Sequence, residues 1–202
     1  RHTITFSKTS ALMSIVGYMI GLGDRHPANI MIQKMTGHVI HIDFNDCFEV
    51  TKERDQMAEN IPFRLTRNMI ATLGPCSYEG SFRKTCEETC FKIRQKREAV
   101  ISILEIFIRD PTSSGGFFEI MPKSEAVSGS YAINKWMGEI DSNDIQNNQL
   151  KEKISRISQK INGLDFENDV PLSVHDQVDA LIRAATDMYN LSYLYHGWNP
   201  FW

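Results

Sequence analysis

Two short β-type runs, Ile30 to Gln33 and His38 to Asp43, flank Met35-Thr36-Gly37. They are the only strand-like segments that the pattern offers, so sheet structure is limited to one hairpin. The rest of the chain carries helical spacing. Residues 10 to 22 read as a helix capped by Ser10, with Leu12, Ile15, Val16 and Met19 on one face and Gly21 and Gly23 as its stop. Residues 81 to 109 repeat Phe82, Cys86, Cys90, Ile93, Val100, Leu104 and Phe107 every three or four places, as one helix or two, and Pro111 ends the run. Residues 44 to 62 are polar and irregular and end at Pro62. The fold class is therefore mainly α with a small β-hairpin.

The second half divides by composition. Residues 110 to 148 include "DPTSSGG" and "DSNDIQNNQ", poor core formers that read as a loose linker. Helical spacing returns at Leu150, Ile154, Ile157 and Ile161, and Gly163 closes it. A last helix starts at Ser173, with Asp176 three residues on as a capping acid. Its buried stripe is Val174, Val178, Leu181, Ile182 and Ala185. The final "YLYHGWNPFW" is densely aromatic.

A net charge of -3 on 202 residues gives no footprint for nucleic acid and no polybasic membrane patch. No apolar run approaches the roughly 20 residues that span a bilayer. The chain begins with Arg1, so it is expected to be cut from a longer protein. Cys47, Cys76, Cys86 and Cys90 lack zinc spacing. Cys86 and Cys90, one helical turn apart, are expected to be buried thiols in a reducing, intracellular compartment.

The hairpin carries the chemistry. With Met35-Thr36-Gly37 as a three-residue turn, Lys34 faces His38 and Asn29 faces Asp43. An amide oxygen and a carboxylate would then meet across the strands, about 5 Å apart at Cβ. One or two hard oxygen donors completed by water and phosphate are how Mg²⁺ is held. Asp24 and His26 lie just upstream, in a loop fixed by Pro27. A carboxylate there can accept a hydroxyl proton, and an imidazole can stabilise charge on a transferring phosphoryl group. Taken singly, each such Asp or Asn is an ordinary turn former. The joint pattern is the part set of phosphoryl transfer. His38 and His41 fall on opposite strand faces and share no metal, and Arg25 is expected to brace the loop.

These residues also carry a resemblance. "GLGDRHPANIMI" and "HIDFNDCFEV" resemble the catalytic loop and metal motif of the phosphatidylinositol 3-kinase-related protein kinases. "IPFRLTRNMI" resembles the segment after their activation loop, and "GWNPFW" resembles their C-terminal FATC element. The likeness is densest to the target-of-rapamycin branch. It implies the C-terminal lobe of a kinase-like α+β fold over residues 1–110, without the N-terminal lobe. A variable linker over 111–149, a helix over 150–170 and FATC over 171–202 would follow. It implies Asp24 as catalytic acid-base with His26 as partner, Asn29 and Asp43 as ligands of Mg²⁺ or Mn²⁺, and Met31 and Ile42 under the adenine of ATP. The activation loop would run from about Phe44 to Ile61. Expected partners are protein substrates, the kinase's own N-terminal lobe and upstream helical regions, and the regulatory subunits of a large signalling complex. The expected site of action is the cytoplasm, endomembranes or nucleus.

Three departures bear on activity. No Gly-rich phosphate loop, strand Lys or partner Glu is found upstream, so these 202 residues alone are expected to be inactive. Two more lie within the motifs. Asn45 stands where the family has glycine, a position expected to need positive φ. The tail places Ser192, Leu194 and Asn199 where cysteines are common in the branch, so a redox disulfide there is ruled out. Two other functions stay open. A lipid kinase shares the Asp-Arg-His-x-x-Asn pattern, but a basic activation loop is expected of it. From Cys47 to Pro62, Lys52 and Arg54 face Glu49, Glu53, Asp55 and Glu59, a net of minus two. A non-catalytic scaffold lobe is the other. The aromatic tail could meet a membrane interface, yet residues 184 to 202 hold no Lys or Arg. Packing on the lobe, in support of the activation loop, is the favoured reading.

Overall fold

The structure is a computed structural model and describes residues 2–53, 59–109, 150–166 and 170–198. The linker expected over 111–149, the middle of the expected activation loop, and Asn199, Phe201 and Trp202 lie outside the described residues, as does the side chain of Phe107. Helix α1 (His2–Ile20) leads into the hairpin of β1 (Ile30–Ile32) and β2 (Val39–His41). Then come α2 (Arg67–Thr72), α3 (Ser81–Gln95), α4 (Arg97–Arg109), α5 over 150–162, α6 (Val174–Thr186) and α7 (Met188–Ser192). The one sheet among the described residues is this antiparallel pair.

Helix α1 is the axis of the fold. It starts eight residues before the expected cap, so Ser10 is not a cap but a buried residue within the helix. Ser7, Ser10, Ala11, Ser14 and Gly17 are all buried on it. Small side chains there let α3 pack closely, with Cys86 Sγ 3.9 Å from the Ala11 carbonyl. Ile15 and Met19 join the core as expected, Tyr18 joins them without having been on the expected face, Val16 is half-buried and Leu12 is exposed. The periodic reading gave α1 one apolar stripe. The fold buries more than one side of it, and polar residues too small to resist burial occupy the second.

The rest of the core follows the sequence pattern more closely. Phe82, Cys86 and Cys90 of α3 are fully buried and meet Val178, Leu181, Ile182 and Ala185 of α6. Ile157 and Ile161 of α5 complete the cluster. The cysteines of the described residues are free thiols, with Cys47, Cys86 and Cys90 buried and Cys76 exposed. Ser173 caps α6 by accepting from the Asp176 amide, as its spacing predicts. Thr66 does the same for α2, whose short span was not evident from periodicity.

The end of α1 sets the direction of the loop that follows. Leu22 N donates to Gly17 O at 2.8 Å and Gly21 N to Tyr18 O at 3.1 Å. Gly21 sits at φ 61°, the left-handed residue that such a paired C-terminal closure requires. A Cβ at Gly21 would lie 2.6 Å from the Glu49 backbone nitrogen, so only glycine fits.

A charged cluster then ties α5 to the start of the expected activation loop. Glu49 accepts from Lys160 at 2.7 Å, from Arg156 Nε at 2.8 Å and from Lys52 at 2.8 Å. Lys160 is buried, lies over the Tyr18 ring and donates to the Tyr18 carbonyl. Arg156 also pairs with Asp165, which accepts the Tyr18 hydroxyl at 2.7 Å. Burial works to raise the Glu49 pKa, yet its bonds to Arg156, Lys160 and Lys52 hold it far below the ordinary carboxylate range.

A carboxyl whose folded pKa is depressed adds stability above its unfolded pKa and loses it as pH falls toward the folded value. The melting temperature of the parent should hold above pH about 4.5 and fall steadily below it. In Glu49→Gln that fall should be shallower. Equal slopes for parent and variant in a pH series of thermal melts would show that Glu49 does not carry this dependence.

Candidate active site

The hairpin forms, but in a register one residue from the expected one. Ile30 pairs with His41, Met31 with Ile40 and Ile32 with Val39. Gln33 N donates to His38 O at 2.8 Å, so the loop holds Lys34 to Gly37, four residues and not three. The reason is local. Gln33 O accepts from both Thr36 N and Gly37 N, which closes a helical turn before Gly37 exits at φ 78°. Gly37 is the left-handed residue, as expected, but the turn in front of it is one residue longer. Asn29 therefore faces Ile42, whose amide donates to the Asn29 carbonyl at 3.1 Å. Asp43 lies one place beyond the ladder, so the cross-strand pairing of Asn29 with Asp43 is not present.

Asp43 leaves the strand by a left-handed turn, φ 60°. Its Oδ1 accepts from Asn45 N at 3.2 Å. Asn45 itself is not at positive φ, so the glycine-like task expected of it falls on Asp43. Asp24 is left-handed as well, φ 56°. Aspartate tolerates this region because its short polar side chain bonds locally.

Asn29 is buried and donates its Nδ2 to the Asp24 carbonyl at 2.9 Å and to Asp24 Oδ2 at 3.4 Å. Its amide nitrogen is thus fixed on Asp24, and Oδ1 is the end left to accept or to ligate. His26 caps the single helical turn Pro27–Asn29, its Nδ1 accepting from Ala28 N at 3.2 Å. That bond puts the proton of the neutral ring on Nε2, which lies 3.9 Å from Asp24 Oδ2. Asp24, His26 and Asn29 thus converge on one spot.

Arg25 locks this arrangement to the hairpin. It is 4% exposed. Its Nε donates to Gly23 O at 2.7 Å, Nη1 to Ile42 O at 2.8 Å and Nη2 to Asp43 O. The bracing role expected of it is what the geometry shows. Burial lowers its pKa, and Asp24, Asp43 and Glu59 oppose that by favouring the charged form. His41 points into the same buried region, where desolvation and then the Arg25 charge push its pKa down to about 4. It is a neutral structural ring.

Met31 and Ile42 stand on the open face of the hairpin with Ile40, 52%, 39% and 49% exposed. They form an apolar strip beside the polar cluster. Asn29 Oδ1 and the Asp43 carboxylate are hard oxygen donors, the chemistry that suits Mg²⁺. Among the described residues no group of three or more His, Cys, Asp or Glu is gathered for a metal. A Mg²⁺ ion here would take few protein ligands, and phosphate and water would supply the others.

One contact was not foreseen from the sequence, and the packing of the tail on the lobe, which was favoured, takes partners that spacing did not name. Glu59, 7% exposed, accepts the Asp24 N–H. The tail reaches the same place: Trp198 lies 6.0 Å from the His26 ring, and its carbonyl accepts Arg64 Nη2 at 2.9 Å. Ile61, Leu191 and Leu194 pack together with Trp198 against them. The tail thus seats on the lobe, though Trp198 is only partly buried. No local spacing signals contacts that span 35 or 134 residues.

Replacing Arg25 by Lys should lose at least one of the three carbonyl bonds, because an ammonium lacks the planar fork. The expected cost is about 1–3 kcal/mol, read by chemical denaturation. An unchanged unfolding free energy would show that the guanidinium does not brace the loop.

Comparison with known proteins places this geometry. The family model for phosphatidylinositol 3- and 4-kinases matches residues 2–114, and that for the FATC domain matches residues 171–202. The serine/threonine-protein kinase mTor of Drosophila melanogaster is 34% identical over 98% of this chain and 9% of its own length. TOR2 of Saccharomyces cerevisiae is 37% identical over the same shares. Protein kinase rad3 of Schizosaccharomyces pombe is 36% identical over 96% of this chain and 7% of its own length. The solved FAT and kinase domain of CtTel1 superposes with a TM-score of 0.71 at 27% identity, covering 100% of this chain and 12% of that one. The chain spans about a tenth of the length of the curated relatives it matches. With a catalytic-type loop, a hairpin and a packed tail in one lobe, it belongs to the phosphatidylinositol 3- and 4-kinase family and carries a FATC domain.

Proposed function

We propose that this chain is the C-terminal part of a target-of-rapamycin-like serine/threonine protein kinase, which transfers the γ-phosphoryl group of ATP to protein hydroxyls. The observation that carries the reading is the convergence of Asp24, His26 and Asn29 at the open end of the hairpin. Relatives named as serine/threonine-protein kinases across nearly the whole chain support it. Asp24 accepts the hydroxyl proton as the new oxygen–phosphorus bond forms. The bond from the γ-phosphorus to the bridging oxygen breaks, and ADP leaves with that electron pair. The Nε2–H of His26 faces the same spot and is placed to stabilise charge on the transferring oxygens. Asn29 and Asp43 would hold Mg²⁺, which neutralises phosphate charge when bound. Met31 and Ile42 offer the adenine an apolar floor.

In this proposal the kinase lobe covers residues 1–110 and a variable linker covers 111–149. A helix over 150–170 then leads to FATC at 171–202. The N-terminal lobe, protein substrates and regulatory subunits belong to the longer assembly, which would act in the cytoplasm, at endomembranes or in the nucleus. A scaffold reading rests on Asn45 and on the N-terminal lobe lying outside these residues, and the first support weakens because Asn45 is not at positive φ. The acidic balance of the activation loop weighs against a phosphoinositide substrate.

In the complete gene product, Asp43→Ala should lower Mg²⁺-dependent phosphorylation of a serine peptide by about 100-fold or more. Its melting temperature should fall by only a few degrees: the Asp43 side chain bonds the Asn45 amide and helps offset the buried Arg25 charge, and Ala is strained at φ 60°. A parent-like rate in Asp43→Ala would remove the assignment.

A further inference from the structure

Glu59 enters the sequence reading only as one acid of a loop. In the fold its carboxylate receives the Asp24 N–H on both oxygens, at 2.9 and 3.2 Å. It thus holds the N–H side of Asp24 in its left-handed backbone, φ 56°, while the Asn29 amide holds the carbonyl side. Its own amide reaches Thr51 O at 3.4 Å, which ties the C-terminal end of the expected activation loop back to Thr51 within it. The Glu59 charge also faces Arg64, a buried guanidinium that burial alone would push toward neutrality. Arg64 in turn donates to the carbonyl of Trp198 in the tail, and the Trp198 ring lies over His26. The end of the expected activation loop and the loop bearing Asp24 therefore meet at one buried carboxylate, and the tail comes in beside them on Arg64 and His26.

On the reading that Asp24 is the proton acceptor, we infer that Glu59 is a positioning residue for phosphoryl transfer. It clamps the Asp24 backbone, next to the Arg64 that holds the tail by its Trp198 carbonyl. Order at the C-terminal end of the activation loop is thereby read out as the placement of the Asp24 carboxylate. No other side chain among the described residues accepts the Asp24 N–H. Water would take its place if Glu59 withdrew, and the backbone would be free to leave the left-handed region.

The test uses the complete gene product with Glu59→Ala, Glu59→Gln and Asp24→Asn. Glu59→Ala should lower kcat for peptide phosphorylation by about 10- to 100-fold, as small misplacements of a reacting group do. KM for ATP should move less than about threefold, because the apolar strip and Asn29 do not touch Glu59. The Asp24 amide should exchange with solvent about 10-fold faster or more. Glu59→Gln keeps one acceptor oxygen and should fall between parent and Ala in both readouts. A kcat within about twofold of the parent, or an Asp24 amide that exchanges at the parent rate, overturns the inference. So does a joint rise in KM and loss of melting temperature, which marks a merely structural role. Should Glu59→Ala fail to fold, Glu59→Gln carries the test: a kcat about three- to tenfold down supports the inference, and one within about twofold overturns it. Asp24→Asn separates the two claims. If it keeps the parent rate, the proton-acceptor reading fails, and with it the catalytic meaning of Glu59. If it is inactive while Glu59→Ala runs at the parent rate, only the role of Glu59 fails.

Discussion

A buried guanidinium holds the functional end of this lobe together. Arg25 joins the carbonyl of Gly23, on one side of the catalytic-type loop, to those of Ile42 and Asp43 at the end of β2. A charge at this depth is tolerable only with its donors satisfied and acids nearby, and Asp24, Asp43 and Glu59 supply the acids. The dependence runs both ways. Without Arg25, buried carbonyls lose their donor, and three carboxylates lose the cation that lets them sit close. The closure at Gly21 aims the chain into this position, and the bond from Val39 N to Thr9 Oγ1 fixes the hairpin against α1.

The second organising element lies on the other side of α1. Glu49 gathers Lys52, Arg156 and Lys160, and Gln177 of α6 donates to the Lys160 carbonyl. Through these bonds α5 and α6, which follow the expected linker in sequence, are fastened to the stem of the expected activation loop. The tail is then carried to the His26 side of the lobe by α6 and α7. Segments more than a hundred residues apart thus share one polar network beneath one apolar core.

What could be read in the sequence was whatever depends on local spacing. The α3 and α6 stripes, the Ser173 cap and the left-handed Gly37 follow from periodicity and turn chemistry alone. The polar face of α1 was illegible because Ser7, Ser10 and Ser14 are buried for their size rather than their hydrophobicity. The register slipped by one because a turn of three and a turn of four both end in a left-handed glycine. Asp24, His26 and Asn29 could be named from the motif, yet their mutual bonds depend on a loop conformation that no spacing encodes. Glu59 and Arg64 were beyond reach because long-range ion contacts leave no mark on the local pattern.

The two left-handed aspartates carry a consequence for what their positions tolerate. Positions 24 and 43 hold backbones that glycine would adopt without strain, and such strain costs of order 1 kcal/mol each. Asp43 Oδ1 takes the Asn45 amide, and the Asp24 carbonyl takes the Asn29 amide, so each left-handed backbone is held by bonds on the spot. Both carboxylates also favour the charged form of Arg25. A glycine at either place would ease the backbone and leave the buried guanidinium with one acid fewer, so ease of folding and comfort of the buried charge pull in opposite directions there.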